Sequence, residues 1–158
     1  MEGELDAVDR ALLDVVQSDA RLSFREIGRR IGMSTPAVAD RIRRLEAAGV
    51  ILGYSARVDR AAIGREIGAF IRLTVSDTDF QRVAGLCRSL DAVVECHHIT
   101  GEESFAIRVA VASIAELEDV ISRFRKIGSA QSSVILSSPV DGKSARADSA
   151  LLAPATAR

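Results

Sequence analysis

Cysteine is scarce in this 158-residue chain: Cys87 and Cys96 are its two, too few for a disulfide framework and suited to a reducing compartment, although a single bridge stays open. Long apolar runs are missing as well. No stretch approaches the roughly 18 to 20 apolar residues that a membrane span needs, and Met1-Glu2-Gly3-Glu4 is acidic where a secretory signal would be basic. The chain therefore reads as cytoplasmic, with no membrane partner. Catalytic constellations are also lacking. There is no nucleophile with a recognisable base partner, no glycine loop to cradle a phosphate, and no carboxylate pair in a predicted pocket. An enzyme is disfavoured, and no cofactor or resident metal is expected. The formal net charge is only -1, while 47% apolar and 27% charged residues are ordinary globular values.

What is present is concentrated between Arg21 and Gly53. Ser23 with Glu26 three residues later spells a capping box, and Leu22 can close a staple onto Ile27. Gly32 and Met33 then make a turn. Ser34 can cap a second helix with Pro36 in its first turn, where a missing N–H costs little, and Gly49 ends it. On that helix Val38, Ile42 and Leu45 fall at i, i+4 and i+7, a stripe that faces a core. Thr35, Asp40, Arg41, Arg44 and, at the edge, Arg43 are expected on the outward side. Residues 21–44 hold seven arginines against two acids, a local balance of +5 within a near-neutral chain. Two short capped helices, a tight turn and clustered arginine are the grammar of a DNA-reading helix-turn-helix.

A preceding helix is expected from Asp6, with Asp9 near the positive end of its dipole and a stripe of Val8, Leu12, Val15 and Val16. Val50 to Ser55 reads as an extended wing or hinge strand. The resulting division is a DNA-binding domain over 1–55, a linker over 56–68 with Gly64 and Gly68 as breakers, a second domain over 69–140, and a mobile tail over 141–158.

The second domain alternates strand and helix: strands at 69–75, 93–100, 105–112 and 132–138, helices at 80–90 and 114–127. Ser113 with Glu116 marks the start of the latter helix. Cys87 falls on the apolar side of the former and is expected to pack. Two tandem βαβ units make an α+β, ferredoxin-like βαββαβ arrangement with both helices on one face of an antiparallel sheet. The strand at 105–112 is apolar on both sides, with only Arg108 strongly polar, so the uncovered face predicts a homodimer. Two reading helices about one DNA turn apart would suit a pseudo-palindromic duplex site.

From about Leu5 to about Leu136 the chain resembles the Lrp/AsnC family of feast/famine transcriptional regulators. The strings that carry the resemblance are Leu5-Asp6 with Asp9-Arg10; Asp19-Ala20-Arg21; Ser34-Thr35-Pro36-Ala37-Val38; Arg41-Ile42-Arg43-Arg44-Leu45-Glu46; Gly49-Val50-Ile51 with Gly53-Tyr54; Glu95-Cys96; Thr100-Gly101; and Ser132-Ser133-Val134-Ile135-Leu136. The resemblance implies a regulator that binds double-stranded DNA as dimers or as tetramers, octamers and larger rings of dimers. It also implies a small effector, typically an amino acid, near the turn Thr100-Gly101-Glu102-Glu103-Ser104 and Ser132. Turn N–H groups near Gly101 could receive its carboxylate, and Glu102 or Glu103 its ammonium. The family's usual Gly-Asp-x-Asp is altered here, since Glu102 is longer than Asp and Ser104 replaces the second acid. Ser132 stands where Thr is usual.

For DNA, Ser34, Thr35, Pro36, Asp40, Arg41 and Arg44 are expected at the major groove, with Arg21 and Arg25 nearer the phosphates. Two rival functions use the same sequence. A metal-sensing repressor would draw on Cys96, His97, His98 and Glu102, but strand alternation lets at most two of the consecutive three converge. A sensor of the same fold without DNA binding would leave the outward arginines without a purpose.

Overall fold

A computed structural model describes residues 5–145, and they fall into two compact units. Residues 5–56 with 140–145 form one, and Arg57–Pro139 the other.

The first unit holds three helices: α1 (Ala7–Ser18), α2 (Phe24–Ile31) and α3 (Thr35–Ala47). Each opens on a side chain that replaces a missing intrahelical acceptor. Asp6 caps α1 in a reciprocal box, accepting from the Asp9 N–H while Asp9 accepts from the Asp6 N–H. Ser34 Oγ accepts from the Ala37 N–H to start α3. Ser23 Oγ likewise accepts from the Glu26 N–H, but the expected box on α2 is only half made. Glu26 turns its carboxylate to Arg29 and Arg30 instead, because two guanidiniums outbid one backbone N–H. Leu12, Val16, Ile27, Val38, Ile42 and Leu45 close the core.

Two glycines set the turn between α2 and α3. Gly32 ends α2 at φ 71, and a Cβ at Gly28 would run into the Met33 carbonyl oxygen as the chain doubles back. The segment after Gly49 does not form the expected wing strand. Val50 and Ile51 donate their N–H groups to the Leu45 carbonyl, Ile51 packs on the core, and Tyr54 Oη donates to Glu46 at 2.9 Å. Among the described residues no strand lies alongside to pair with it.

The second unit is a four-stranded antiparallel sheet of order β2-β3-β1-β4. Its strands are β1 (Ile67–Thr74), β2 (Val93–His98), β3 (Phe105–Val111) and β4 (Ser129–Val134), with α4 (Phe80–Ser89) and α5 (Ile114–Arg125) between them. A short 3₁₀ turn over Asp77–Asp79 leads into α4. Alternate residues of β1 and β3 (Ala69, Ile71, Leu73; Phe105, Ile107, Val109, Val111) meet Val83, Cys87, Leu117, Val120, Ile121 and Phe124 of the helices in one buried cluster. This is the expected α+β architecture.

Element boundaries differ from expectation: β1, β2 and β3 end early, at Thr74, His98 and Val111. β1 begins at Ile67, inside the expected linker, because Gly68 is a strand residue whose missing Cβ lets Ile135 lie close against it, 3.2 Å from where that carbon would be. β4 starts at Ser129 and ends at Val134, since pairing with β1 fixes its register where its polar sequence could not. The two helices of this unit are shorter than expected by one and two residues at their C-terminal ends. In the expected tail, residues 141–145 form no helix or strand, and Ser144 donates to the Gln17 carbonyl. The rest of it, from residue 146, lies outside the described residues.

Candidate nucleic-acid interface and effector turn

Helix α3 buries Val38, Ile42 and Leu45 at 0 to 4% exposure. A helix turns about 100° per residue, so the line opposite that stripe runs near Pro36, Asp40 and Ala47, with Arg43 and Arg44 to either side, all exposed. Asp40 and Arg43 are each 72% exposed and form an i, i+3 ion pair at 3.1 Å. Thr35 is exposed at the helix start, and Ser34 is exposed with its hydroxyl occupied in the cap.

Arg41 departs from expectation. It lies toward the core side of α3, 24% exposed, and donates to Asp6 and Asp9 of α1, both at 2.7 Å. Arg44, 59% exposed on the flank, donates to both oxygens of Asp9 at 2.7 and 2.8 Å. Asp9 itself retains only 4% side-chain exposure. The arginine-rich helix is thus braced against α1 by a buried carboxylate. With Asp6 and Asp9 included, the local balance of +5 falls to +3. Asp6 is held below the usual carboxylate range, first by the Asp9 N–H and then by Arg41, whose own pKa rises in return. Glu26 falls from 4.5 to about 2 under Arg29 and Arg30.

Arg21 and Arg25 are exposed, the former with its backbone N–H on Asp19. Arg43 is the residue that the sequence reading set at the edge. Its signal was available in the 36, 40, 43, 47 spacing, while the withdrawal of Arg41 depended on an acid 32 residues earlier in the chain.

In the second unit the turn between β2 and β3 is tied to β1. Ser104 Oγ accepts from the Val75 N–H and donates to the Val75 carbonyl, at 3.2 and 3.3 Å. The Glu102 carbonyl accepts from Thr74 Oγ1, and the Glu103 carboxylate faces Arg72 at 3.9 Å. Thr100 is exposed, and Gly101 adopts φ 123. Glu102 is left as the exposed carboxylate. Ser132 does not join this group within one chain. It pairs with Ile71 on edge strand β4, and β1 lies between that edge and the β2–β3 hairpin.

Beside the turn is a cavity of about 270 Å³ lined by Val75, Ser76, Phe80, His98, Ser104 and Phe105. The rings of Phe80, His98 and Phe105 stand 5.1 to 5.3 Å apart, centroid to centroid. These rings engage His98, and Cys96 packs against the core cluster that contains Cys87. Burial and the neighbouring Cys96 push the Cys87 thiol up to about 12. His97 points to the other face near Glu95. Among the described residues no group of three or more His, Cys, Asp or Glu is placed to hold a metal ion.

Residues 5–46 match the AsnC-type helix-turn-helix domain, and residues 68–145 match the Lrp/AsnC ligand binding domain. The chain belongs to the Lrp/AsnC family. Among curated members, it is 38% identical over 126 residues to the HTH-type transcriptional regulator LrpA of Mycobacterium tuberculosis, covering 79% of this chain and 84% of that protein. To the HTH-type transcriptional regulator LrpC of Bacillus subtilis it is 30% identical over 143 residues, 90% of this chain and 99% of that one. The solved structure of B. subtilis LrpC superposes with a TM-score of 0.82, covering 89% of this chain and 99% of that chain. A feast or famine regulatory protein from M. tuberculosis, solved in complex with L-methionine, superposes with a TM-score of 0.85 at 33% identity, covering 91% of this chain and all of that one. This Lrp/AsnC protein is a helix-turn-helix transcriptional regulator with a ligand-binding domain.

Proposed function

We propose that this regulator inserts α3 into the major groove of double-stranded DNA and that its affinity answers to a free amino acid. The exposed meridian of α3, opposite a fully buried stripe, is the observation that carries the DNA half. Ser34, Thr35, Pro36 and Asp40 line the helix entrance and front, Arg44 stands at the flank, and Arg21 and Arg25 supply phosphate contacts. The effector half rests on the turn Thr100–Ser104, where Gly101 opens the backbone and Glu102 offers an acceptor for an ammonium group. Likeness to a relative solved with L-methionine supports an amino acid as the ligand class.

Dimerisation belongs to the same proposal. Among the described residues the sheet face away from α4 and α5 has no second layer, and on it Gly68, Phe70, Ala106, Ala110 and Ile135 form an apolar patch with Phe70 44% exposed. Arg108, opposite Phe70 and between Ala106 and Ala110, crosses it, paired with Glu95 at 3.2 Å, and Arg72 with Glu103 lies beside it, so it is less uniformly apolar than β3 alone suggests. A half-exposed aromatic among small residues, with an arginine beside it, suits an interface. A second copy there sets two α3 helices to read two half-sites, and dimers assemble further into tetramers or octamers that bring Ser132 of one chain near the turn of another. The protein acts in the cytoplasm as a regulator rather than a catalyst. No helix among the described residues is long and apolar enough to cross a membrane.

The test is a gel-shift titration on the DNA upstream of its own gene, with each amino acid added in turn and oligomer size followed by sedimentation. The expected result is salt-dependent retardation shifted by one or a few amino acids. Failure to bind any duplex at low ionic strength would remove the proposal.

A further inference from the structure

The geometry points to Asp40 and Arg43 as the pair that reads bases, with Arg41 a positioning residue behind the helix. This rests on the proposal that α3 enters the major groove. Asp40 lies opposite the buried stripe and Arg43 about 45° to one side of that line, and each keeps 72% of its side chain free. Arg41 is drawn to Asp6 and Asp9, and Arg44 spends its guanidinium on both oxygens of Asp9. Any arginine committed to a buried carboxylate must leave it, uncompensated, to reach a base. Arg43 has no such tie. Its partner Asp40 is equally exposed, and their contact is the weak surface kind that a duplex can replace.

The two side chains are chemically complementary to one kind of sequence. Arg donates two parallel bonds to O6 and N7 of guanine, and Asp, an acceptor only, takes the N4 amino proton of cytosine. Residues three apart on a helix are about 4.5 Å apart along its axis, close to the about 3.4 Å rise between base pairs on one strand. Asp40 and Arg43 therefore fall on neighbouring base pairs, and the half-site carries adjacent G·C pairs at its centre. Asp40 also repels phosphate, so registers that slide the helix toward the backbone are penalised. Pro36, near the same line one turn before Asp40, has a compact side chain and no N–H, which lets the helix start approach closely.

Selection of bound duplexes from a random pool, run on the full chain with wild type, Arg43→Ala, Asp40→Asn and Arg41→Ala, tests this. Circular dichroism melts accompany each variant. Wild type is expected to enrich adjacent G·C pairs in each half-site. Arg43→Ala should lose preference at one of them by about tenfold or more, and Asp40→Asn should move its neighbour from cytosine toward adenine, the base an amide pairs with. Arg41→Ala should lower the melting temperature and weaken binding evenly while keeping the wild-type base preference. The converse overturns the assignment: a position-specific loss in Arg41→Ala with an even loss in Arg43→Ala would make Arg41 the reader. Wild type that binds duplexes but enriches no sequence would refute the pair alone, whereas wild type that binds none would refute the DNA reading beneath it.

Discussion

A carboxylate as buried as that of Asp9 is tolerated only because both oxygens are engaged by Arg41, Arg44 and the Asp6 N–H. Breaking a buried ion pair on one side typically costs about 3 to 5 kcal/mol, so Asp9→Asn should lower the stability of the helical unit by about 3 kcal/mol, read from urea unfolding. Two glycines give substitutions of opposite sign. Alanine at Gly28 meets the backbone at Met33, and overpacking of this kind costs about 1 to 3 kcal/mol. At Gly85, inside α4 and facing open space, alanine should instead stabilise by about 0.5 to 1 kcal/mol, the helix-interior difference between the two residues. Thermal melts of the two variants beside wild type check both. At this scale the sequence concealed as much as it displayed. Ser34, Ser23 and Ser113 were legible as caps because a cap is local, whereas the role of Arg41 depended on a partner in another helix.

The elements carry the charge balance. Glu26 on α2 has its folded pKa depressed from 4.5 to about 2 by Arg29 and Arg30. Its contribution is therefore present in full above pH 4.5 and fades as pH falls toward 2. Glu26→Gln should be less stable than wild type at neutral pH, with the gap closing near pH 2, as followed by dichroism melts across that range. Among the elements, helices and core strands were legible because Val38, Ile42 and Leu45, or Phe105, Ile107, Val109 and Val111, repeat with the period of the structure they form. β4 was not. Ser129, Gln131, Ser132 and Ser133 hold no apolar alternation, and only hydrogen bonding to β1 makes them a strand. The extended piece after Gly49 failed for the opposite reason, since its Val50, Ile51 and Leu52 look like a strand but have no neighbouring strand among the described residues.

For the whole molecule, the proposed dimer ties the open sheet face to the proposed reading helix. Phe70→Asp places a charge at the centre of the apolar patch and should shift the sedimenting species toward monomer. Operator affinity should fall with it, since one α3 then reads one half-site where two read a pair. Binding by wild type should also weaken with salt, the slope of log K against log salt steepening by about 0.9 for each phosphate neutralised. The clamp of α1 on α3 has a further consequence for how such a regulator changes its targets. On the proposed docking α1 touches no base, yet its N-cap Asp6 and its Asp9 hold the arginines of α3, so variants selected for a new operator should include changes at Asp6 and Asp9. Retargeting can thus begin at the back of the domain, away from the groove.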